Sequence, residues 1–245
     1  GFGSLEGILK AKTELFSYLG LNKGVVFTKD NQQNLLELVP STSVNFTYGQ
    51  LSSSSFTIKN EGAQPFVHVS VDDTIIKSKL IGDYNFDNIA LSIAIGSYFG
   101  VELENIKTAI ESYSPTNNRS QLIKTERNTI LLDAYNANPM SLEKAIHNMM
   151  HIEHDNKVLI LGDMFELGED SKIEHINIIN HCLSSGFTEV YLVGEAFTSA
   201  NKTKYACYTS TETLLNSLQE LKLNGAFILI KGSRGMKLEQ LVEVL

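Results

Sequence analysis

The chain has 245 residues, 42% hydrophobic and 20% charged, enough apolar surface for one large core or two ordinary ones. A formal net charge of -8 argues against a nucleic-acid surface, which needs clustered Lys and Arg to displace counterions from phosphates. The two cysteines, Cys182 and Cys207, stand outside any CxxC pattern, which argues against a disulfide framework or zinc site, and no apolar run reaches the length of a membrane span. These bounds predict a soluble protein of a reducing cytoplasm whose partners are small molecules rather than polymeric anions. The chain opens on Gly1-Phe2-Gly3-Ser4 without Met and without the basic-then-apolar order of a signal peptide, and is read as truncated.

Taken in order, the apolar spacing of Leu5, Ile8, Leu9, Leu15 and Leu19 predicts a helix over 5–19. Short β-type runs follow at 25–27, 43–48, 55–58, 66–71 and 74–80, separated by turn residues. Helices are predicted over 83–99, closed by Gly100, and over 103–113. The polar break Ser114-Pro115-Thr116-Asn117-Asn118 marks a domain boundary, dividing the chain into 1–113 and 114–245. Beyond it, strands at 129–132, 157–161, 189–193, 205–208 and 226–230 alternate with helices at 139–150, 170–183, 211–221 and 236–245. Such alternation predicts an α/β fold, a doubly wound and mostly parallel sheet covered on both faces, because parallel neighbours need crossover connections.

The most informative stretch is Asp133-Ala134-Tyr135-Asn136-Ala137-Asn138-Pro139, where an apolar strand turns into a helix. Asn138 suits an N-cap and Pro139 the first helical position. The junction gathers an acid, two amides and free backbone donors at a sheet edge, where anionic or zwitterionic small molecules bind. Two nucleotide signatures are missing. No Gly is followed directly by Lys, so no phosphate-binding P-loop is encoded, and Gly162-Asp163-Met164-Phe165-Glu166-Leu167-Gly168 follows a strand without the GxGxxG fingerprint.

Three phrases carry a resemblance: the 133–139 junction, the Leu161-Gly162-Asp163-Met164-Phe165-Glu166-Leu167-Gly168 loop, and Lys231-Gly232-Ser233-Arg234-Gly235-Met236. In this order they resemble the C-terminal domain of the Mur ligase family, in its D-alanyl-D-alanine-adding branch. Upstream, Gly82-Asp83-Tyr84-Asn85-Phe86-Asp87-Asn88 resembles the family's adenine-contact motif, Asn118-Arg119-Ser120 its arginine motif, and 1–15 the segment around its metal-linked lysine, here Lys12. The resemblance implies the second half of a central ATPase domain over 1–113, followed by a complete Rossmann-like ligase domain over 114–245. The absent P-loop then belongs to the part that precedes the chain, and the chain alone is expected to be inactive.

The resemblance also implies a chemistry. ATP phosphorylates a carboxylate of UDP-N-acetylmuramoyl-tripeptide, and the amine of D-Ala-D-Ala attacks the acyl phosphate, giving an amide, ADP and phosphate in peptidoglycan precursor synthesis. Arg119 would present a planar fork to phosphate oxygens, where Lys is a poor substitute; on the residues alone it reads as a surface ion-pair partner. Asp133 would accept from the ribose hydroxyls of ATP, or else close an Asx-turn. Asn85 would pair with an adenine edge through its amide, or else cap a helix, and Tyr84 stands where many relatives carry His. Lys12, carbamylated, would become an oxygen ligand for Mg²⁺; without the resemblance it is a solvated helix residue.

Acceptor binding falls to Asn136 and Asn138, the latter first of all a cap, and to Lys231, Ser233 and Arg234, whose cations suit a carboxylate or phosphate. Asp163 and Glu166 would meet the acceptor's ammonium or orient a metal-bound water, or else are carboxylates of a solvated loop. His147, His151 and His154, at i, i+4 and i+7, suggest a metal face or a polar outer face. His175 resembles a family histidine without a derivable role. The alternatives are a ligase with another acceptor, such as glutamate, and a non-catalytic nucleotide-binding module. A monomer with no nucleic-acid partner and no membrane span is expected.

Overall fold

The computed structural model describes residues 5–63 and 65–245; the first residues of the lysine-containing segment, 1–4, lie outside the described part. Two compact units result, one of Gly1–Lys79 and Asp83–Tyr113, the other of Leu80–Gly82 and Ser114–Leu245.

The first unit begins with helix α1 (Leu5–Leu21), strand β1 (Val25–Lys29), the short helix α2 (Gln33–Leu36), and strands β2 (Val44–Gly49) and β3 (Phe56–Thr57). β1, β2 and β3 form a parallel sheet in that order, with Val25 opposite Val44 and Tyr48 opposite Phe56. The run at 55–58 thus yields only two strand residues. Strands β4 (Lys59–Ala63), β5 (Phe66–Val71) and β6 (Thr74–Ile81) form a second sheet, and helices α3 (Asn85–Tyr98) and α4 (Leu103–Ser112) complete the unit. β4 lies outside the expected strand runs: Lys-Asn-Glu-Gly-Ala carries no apolar alternation, and its antiparallel register to β5 slips between Asn60 and Gly62. Tyr98 of α3 meets Phe27 and Phe46 edge-on at 5.4 and 5.2 Å, fastening the helix to the parallel sheet.

In the second unit, β7 (Gln121–Lys124) and β8 (Thr129–Asp133) are followed by helix α5 (Pro139–His151), β9 (Lys157–Gly162), helix α6 (Ser171–Ser184), β10 (Val190–Val193), helix α7 (Glu195–Ala200), β11 (Ala206–Tyr208), helix α8 (Thr211–Leu221) and β12 (Phe227–Lys231). The sheet order is β11-β10-β9-β12-β8-β7, parallel except for β7, which lies antiparallel to β8 with Gln121 opposite Leu132. The central strands are buried on both faces, as the unbroken apolar runs of β9, β10 and β12 require. On one face Ile130, Leu132, Val158, Ile160, Ile228 and Ile230 pack with Leu214 and Leu218 of α8 and with Leu238 and Leu241. The alternate residues Leu131, Leu159, Leu161 and Leu229 are equally buried.

The expected helix over 236–245 is replaced by 3₁₀ turns at Arg234–Met236 and Leu238–Val244. Lys237 between them is left-handed, at φ 55°, which interrupts an α-helix. Leu238 and Leu241, both fully buried, recur at three residues, and one 3₁₀ turn places them on one face. Helix α7 and strand β7, six and four residues long, are too short to show a period in the sequence.

Local chemistry fixes α5. Asn138 accepts from the Ser141 N–H at 2.8 Å while the Ser141 hydroxyl accepts from the Asn138 N–H at 3.1 Å, a reciprocal capping box with Pro139 in the first turn. Leu142, Ala145, Ile146 and Met149 form its buried stripe. At the other end the Lys157 ammonium donates to the carbonyls of Met149, Met150 and Ile152 at 3.1, 3.0 and 3.0 Å, satisfying acceptors that a helix end leaves open. Asn138→Ala is expected to lower the stability of the second unit by about 1 kcal/mol. The urea-unfolding midpoint measures this, and an unchanged midpoint would show that the cap is not needed.

Candidate functional site

The C-terminal ends of the parallel strands form one edge of the second unit, and strand register decides what meets there. Lys231 is the last residue of β12 and Asp133 the last of β8, and the ladder sets them opposite one another. The Lys231 side chain, only 3% exposed, places its ammonium 2.6 Å from Asp133 Oδ2 and donates to the Asn136 carbonyl at 3.2 Å. Asp133 Oδ1 accepts from the Ser120 N–H at 3.3 Å, so the carboxylate also ties down the segment after Arg119. An ammonium in such a place must be paired, and removing one partner of a buried pair costs about 3–5 kcal/mol.

Tyr135, two residues beyond Asp133, carries the next layer. The Arg119 guanidinium lies 3.8 Å above its ring centroid and that of Arg234 5.3 Å away. Hydrogen bonding and the charge of Arg119, then the charge of Arg234, hold the Tyr135 phenol below its ordinary value. Among the described residues neither arginine joins a carboxylate in an ion pair. Two like-charged forks leaning on one aromatic ring at a strand edge are an arrangement that an anion stabilises.

The Gly162–Gly168 loop is anchored from within. Asp163 is buried, and its carboxylate accepts from the Ala196 and Phe197 N–H groups at 3.0 and 2.9 Å, at the start of α7. Gly194 makes this approach possible: its φ is +119°, and a Cβ there would come 2.2 Å from the Asp163 carboxyl carbon. The fully buried His175 accepts from the Met164 N–H through Nε2 at 3.1 Å and donates from Nδ1 to the Ser171 carbonyl at 2.6 Å. With the proton on Nδ1, the Nε2 that stands 3.6 Å from Asp163 Oδ1 is an acceptor and makes no ion pair. Ser233 is buried and accepts from the Phe165 N–H at 2.9 Å, so its hydroxyl joins this loop to the β12 turn. Glu166 is exposed on left-handed backbone at φ 68°.

The structure therefore brings Arg119, Asp133, Asn136, Lys231, Ser233 and Arg234 together with Asp163 at one edge. Asn136 is exposed, its side-chain oxygen accepting from the Ala137 N–H at 2.9 Å, and Asn138 caps α5. A recess of about 470 Å³ opens at Asp163, lined among others by Phe165, Thr211, Met236 and Lys237; of the residues gathered at the edge only Asp163 lines it. Lys12 and Asn85 belong to the first unit: Lys12 is exposed on α1, and Asn85 is buried at the start of α3, where its oxygen accepts from the Asn88 amide at 3.0 Å. Among the described residues no three His, Cys, Asp or Glu side chains gather as a metal site. Tyr135 was missed by sequence reasoning, although an aromatic residue between an acid and two amides at a strand end was the available signal.

Asp133→Asn is expected to destabilise the second unit by about 3–5 kcal/mol, whereas Asp133→Leu combined with Lys231→Met restores most of that loss. Chemical denaturation of the three proteins decides this, and a neutral single variant would contradict the buried pair. Positive charge favours the phenolate, so Tyr135 is expected to ionise at lower pH than an ordinary tyrosine and well before Tyr205, which burial pushes up to about 12. Alkaline difference absorbance should lose its earliest phase in Tyr135→Phe. In Arg119→Ala that phase should move to higher pH, and an unmoved phase would remove the arginine from the ring.

Residues 118–234 match the family profile for the Mur ligase, glutamate ligase domain, and residues 1–96 that for the Mur ligase middle domain. The UDP-N-acetylmuramoyl-tripeptide--D-alanyl-D-alanine ligase of Bacillus subtilis is 31% identical over 98% of this chain and 55% of its own length. The enzyme of the same name from Escherichia coli is 29% identical over 100% of the chain and 57% of its own. This chain thus spans little more than half the length of these relatives. In structure it resembles the D-alanyl-D-alanyl ligase of Acinetobacter baumannii, with a TM-score of 0.82 at 22% identity over 99% of this chain and 55% of that one. A Thermotoga maritima ligase in complex with ADP gives a TM-score of 0.79 at 20% identity over 99% and 57%. No helix among the described residues is long and apolar enough to cross a membrane.

Proposed function

The chain belongs to the Mur ligase family, and we propose that the protein carrying it joins D-alanyl-D-alanine to UDP-N-acetylmuramoyl-tripeptide with consumption of ATP, in cytoplasmic peptidoglycan precursor synthesis. The observation that carries this reading is the convergence of Arg119 and Arg234 on Tyr135, free of carboxylate partners among the described residues. Relatives of that name, matching essentially the whole chain, support the choice of acceptor. In this reading residues 1–113 belong to the ATP-binding domain and 114–245 form the ligase domain, and the working unit is a monomer.

The reaction has two steps. A substrate carboxylate oxygen attacks the terminal phosphorus of ATP and ADP leaves; the acceptor amine then attacks the acyl carbon, loses a proton, and phosphate leaves. Negative charge gathers on phosphoryl oxygens in the first step and on the carbonyl oxygen in the second. Arg119 and Arg234 offer planar donor forks for the phosphoryl oxygens, already oriented on Tyr135 so that little freedom is lost on binding. Lys231, neutralised by Asp133, holds the Asn136 backbone and so positions the Tyr135 loop. Asn136 and the exposed Glu166 stand as amide and carboxylate for the dipeptide's polar ends, with Asp163, Ser233 and Asn138 shaping the surrounding backbone.

Asn85 lies at the start of α3 in the first unit, where an amide suits an adenine edge. Lys12, exposed and outside any ion pair among the described residues, fits carbamylation into an oxygen ligand for Mg²⁺. Bound there, Mg²⁺ would neutralise phosphate charge.

Phosphate release by the protein that carries this chain should require both UDP-N-acetylmuramoyl-tripeptide and D-Ala-D-Ala. Arg119→Ala should slow it by about 10²-fold, with Arg119→Lys recovering only part. Equal release with D-glutamate in place of the dipeptide would reject the acceptor, and an unaffected Arg119→Ala would reject the site.

A further inference from the structure

Outside this edge, α5 carries a second constellation that the ligase reading leaves unused. Its inner stripe is apolar, while His147 and His151 are exposed on the opposite side, one helical turn apart. Their Nε2 atoms are 3.2 Å apart and their rings 4.7 Å, inclined at 73°. Two nitrogens at that separation either share a proton or share an ion. For metal–nitrogen bonds of roughly 2.0–2.1 Å, a separation of 3.2 Å corresponds to an angle of about 100° at the metal, close to what a tetrahedral ion accepts.

The last turn is held in shape. The Lys157 ammonium donates to the carbonyls of Met149, Met150 and Ile152, so His151, the final residue of α5, sits on a fixed backbone. His154, which the sequence spacing grouped with the pair, is turned elsewhere: its Nδ1 accepts from the Asn156 N–H at 3.2 Å and its ring leans on Phe227. The trio of the sequence is a pair in the fold.

We propose that His147 and His151 form a two-imidazole chelate on the outer face of α5 for a borderline divalent transition-metal ion of the Zn²⁺, Ni²⁺ and Cu²⁺ class. Imidazole nitrogen selects these ions over Mg²⁺, which takes oxygen, so the site is chemically separate from the ligase reaction. With two protein ligands, water completes the coordination, or the same pair from a second copy does so.

Calorimetric titration of Ni²⁺ and Zn²⁺ into the tag-free chain should show saturable binding, at one ion per chain or one per two chains. His147→Gln and His151→Gln should each weaken it by at least about tenfold, because each removes the chelate, while His154→Gln should leave it unchanged. Both residues are exposed, so the variants retain the fold. Nitrogen NMR of the wild-type imidazoles supplies an independent readout, with shifts at the Nε2 atoms of His147 and His151. Absence of saturable binding, or affinity unchanged in His147→Gln, would overturn the proposal.

Discussion

The ion pair between Lys231 and Asp133 is the interaction on which the site depends. It is a cross-strand pair, produced because β12 and β8 run parallel in a register that ends on these two residues. An ammonium so little exposed needs a carboxylate close by, and the 2.6 Å contact supplies it. The same ammonium holds the Asn136 carbonyl, and the same carboxylate holds the Ser120 N–H. One pair thereby fixes both segments that flank Tyr135, and Tyr135 in turn seats Arg119 and Arg234. Unlike the buried lysine, the two arginines of the edge join no carboxylate in an ion pair among the described residues.

A second anchor works by the same logic one strand further along the sheet. Asp163 is occupied by the N–H groups that open α7, an approach that Gly194 permits because no side chain stands in the way. His175 fixes Met164 and Ser233 fixes Phe165, so consecutive residues of the loop are held by groups from α6 and the β12 turn. Hydrogen bonds that anchor the backbone of both loops would present oriented donors to a ligand, and less entropy would be lost on binding. The polar residues of the motifs divide between those that build the edge and those left exposed at it.

Much of this was legible in the sequence. The strands β8, β9, β10 and β12 follow from unbroken apolar runs, and α5 follows from its cap, its proline and its apolar stripe. What escaped did so for physical reasons. β7, β4 and α7 are too short or too polar to carry a period, and their existence depends on neighbours already in place. The last segment has leucines that suit a helix, yet a left-handed Lys237 and three-residue spacing turn it into 3₁₀ structure. In the site, residue types were readable but partners were not. Lys231 and Asp133 are 98 positions apart in sequence, and only the sheet register brings them together. The seat of the two arginines on Tyr135 is likewise a product of three loops, invisible to spacing.

In the proposed function, anion binding at this edge falls to Arg119 and Arg234, organised on Tyr135. Nitrogen–proton NMR of the arginine Nε–H groups during titration with inorganic phosphate, and then with ADP, tests it most directly. Arg119 and Arg234 are expected to shift together along one saturation curve, and the joint response is expected to collapse in Tyr135→Ala. Resonances of both arginines that stay fixed while other residues respond to the same ligands would contradict it.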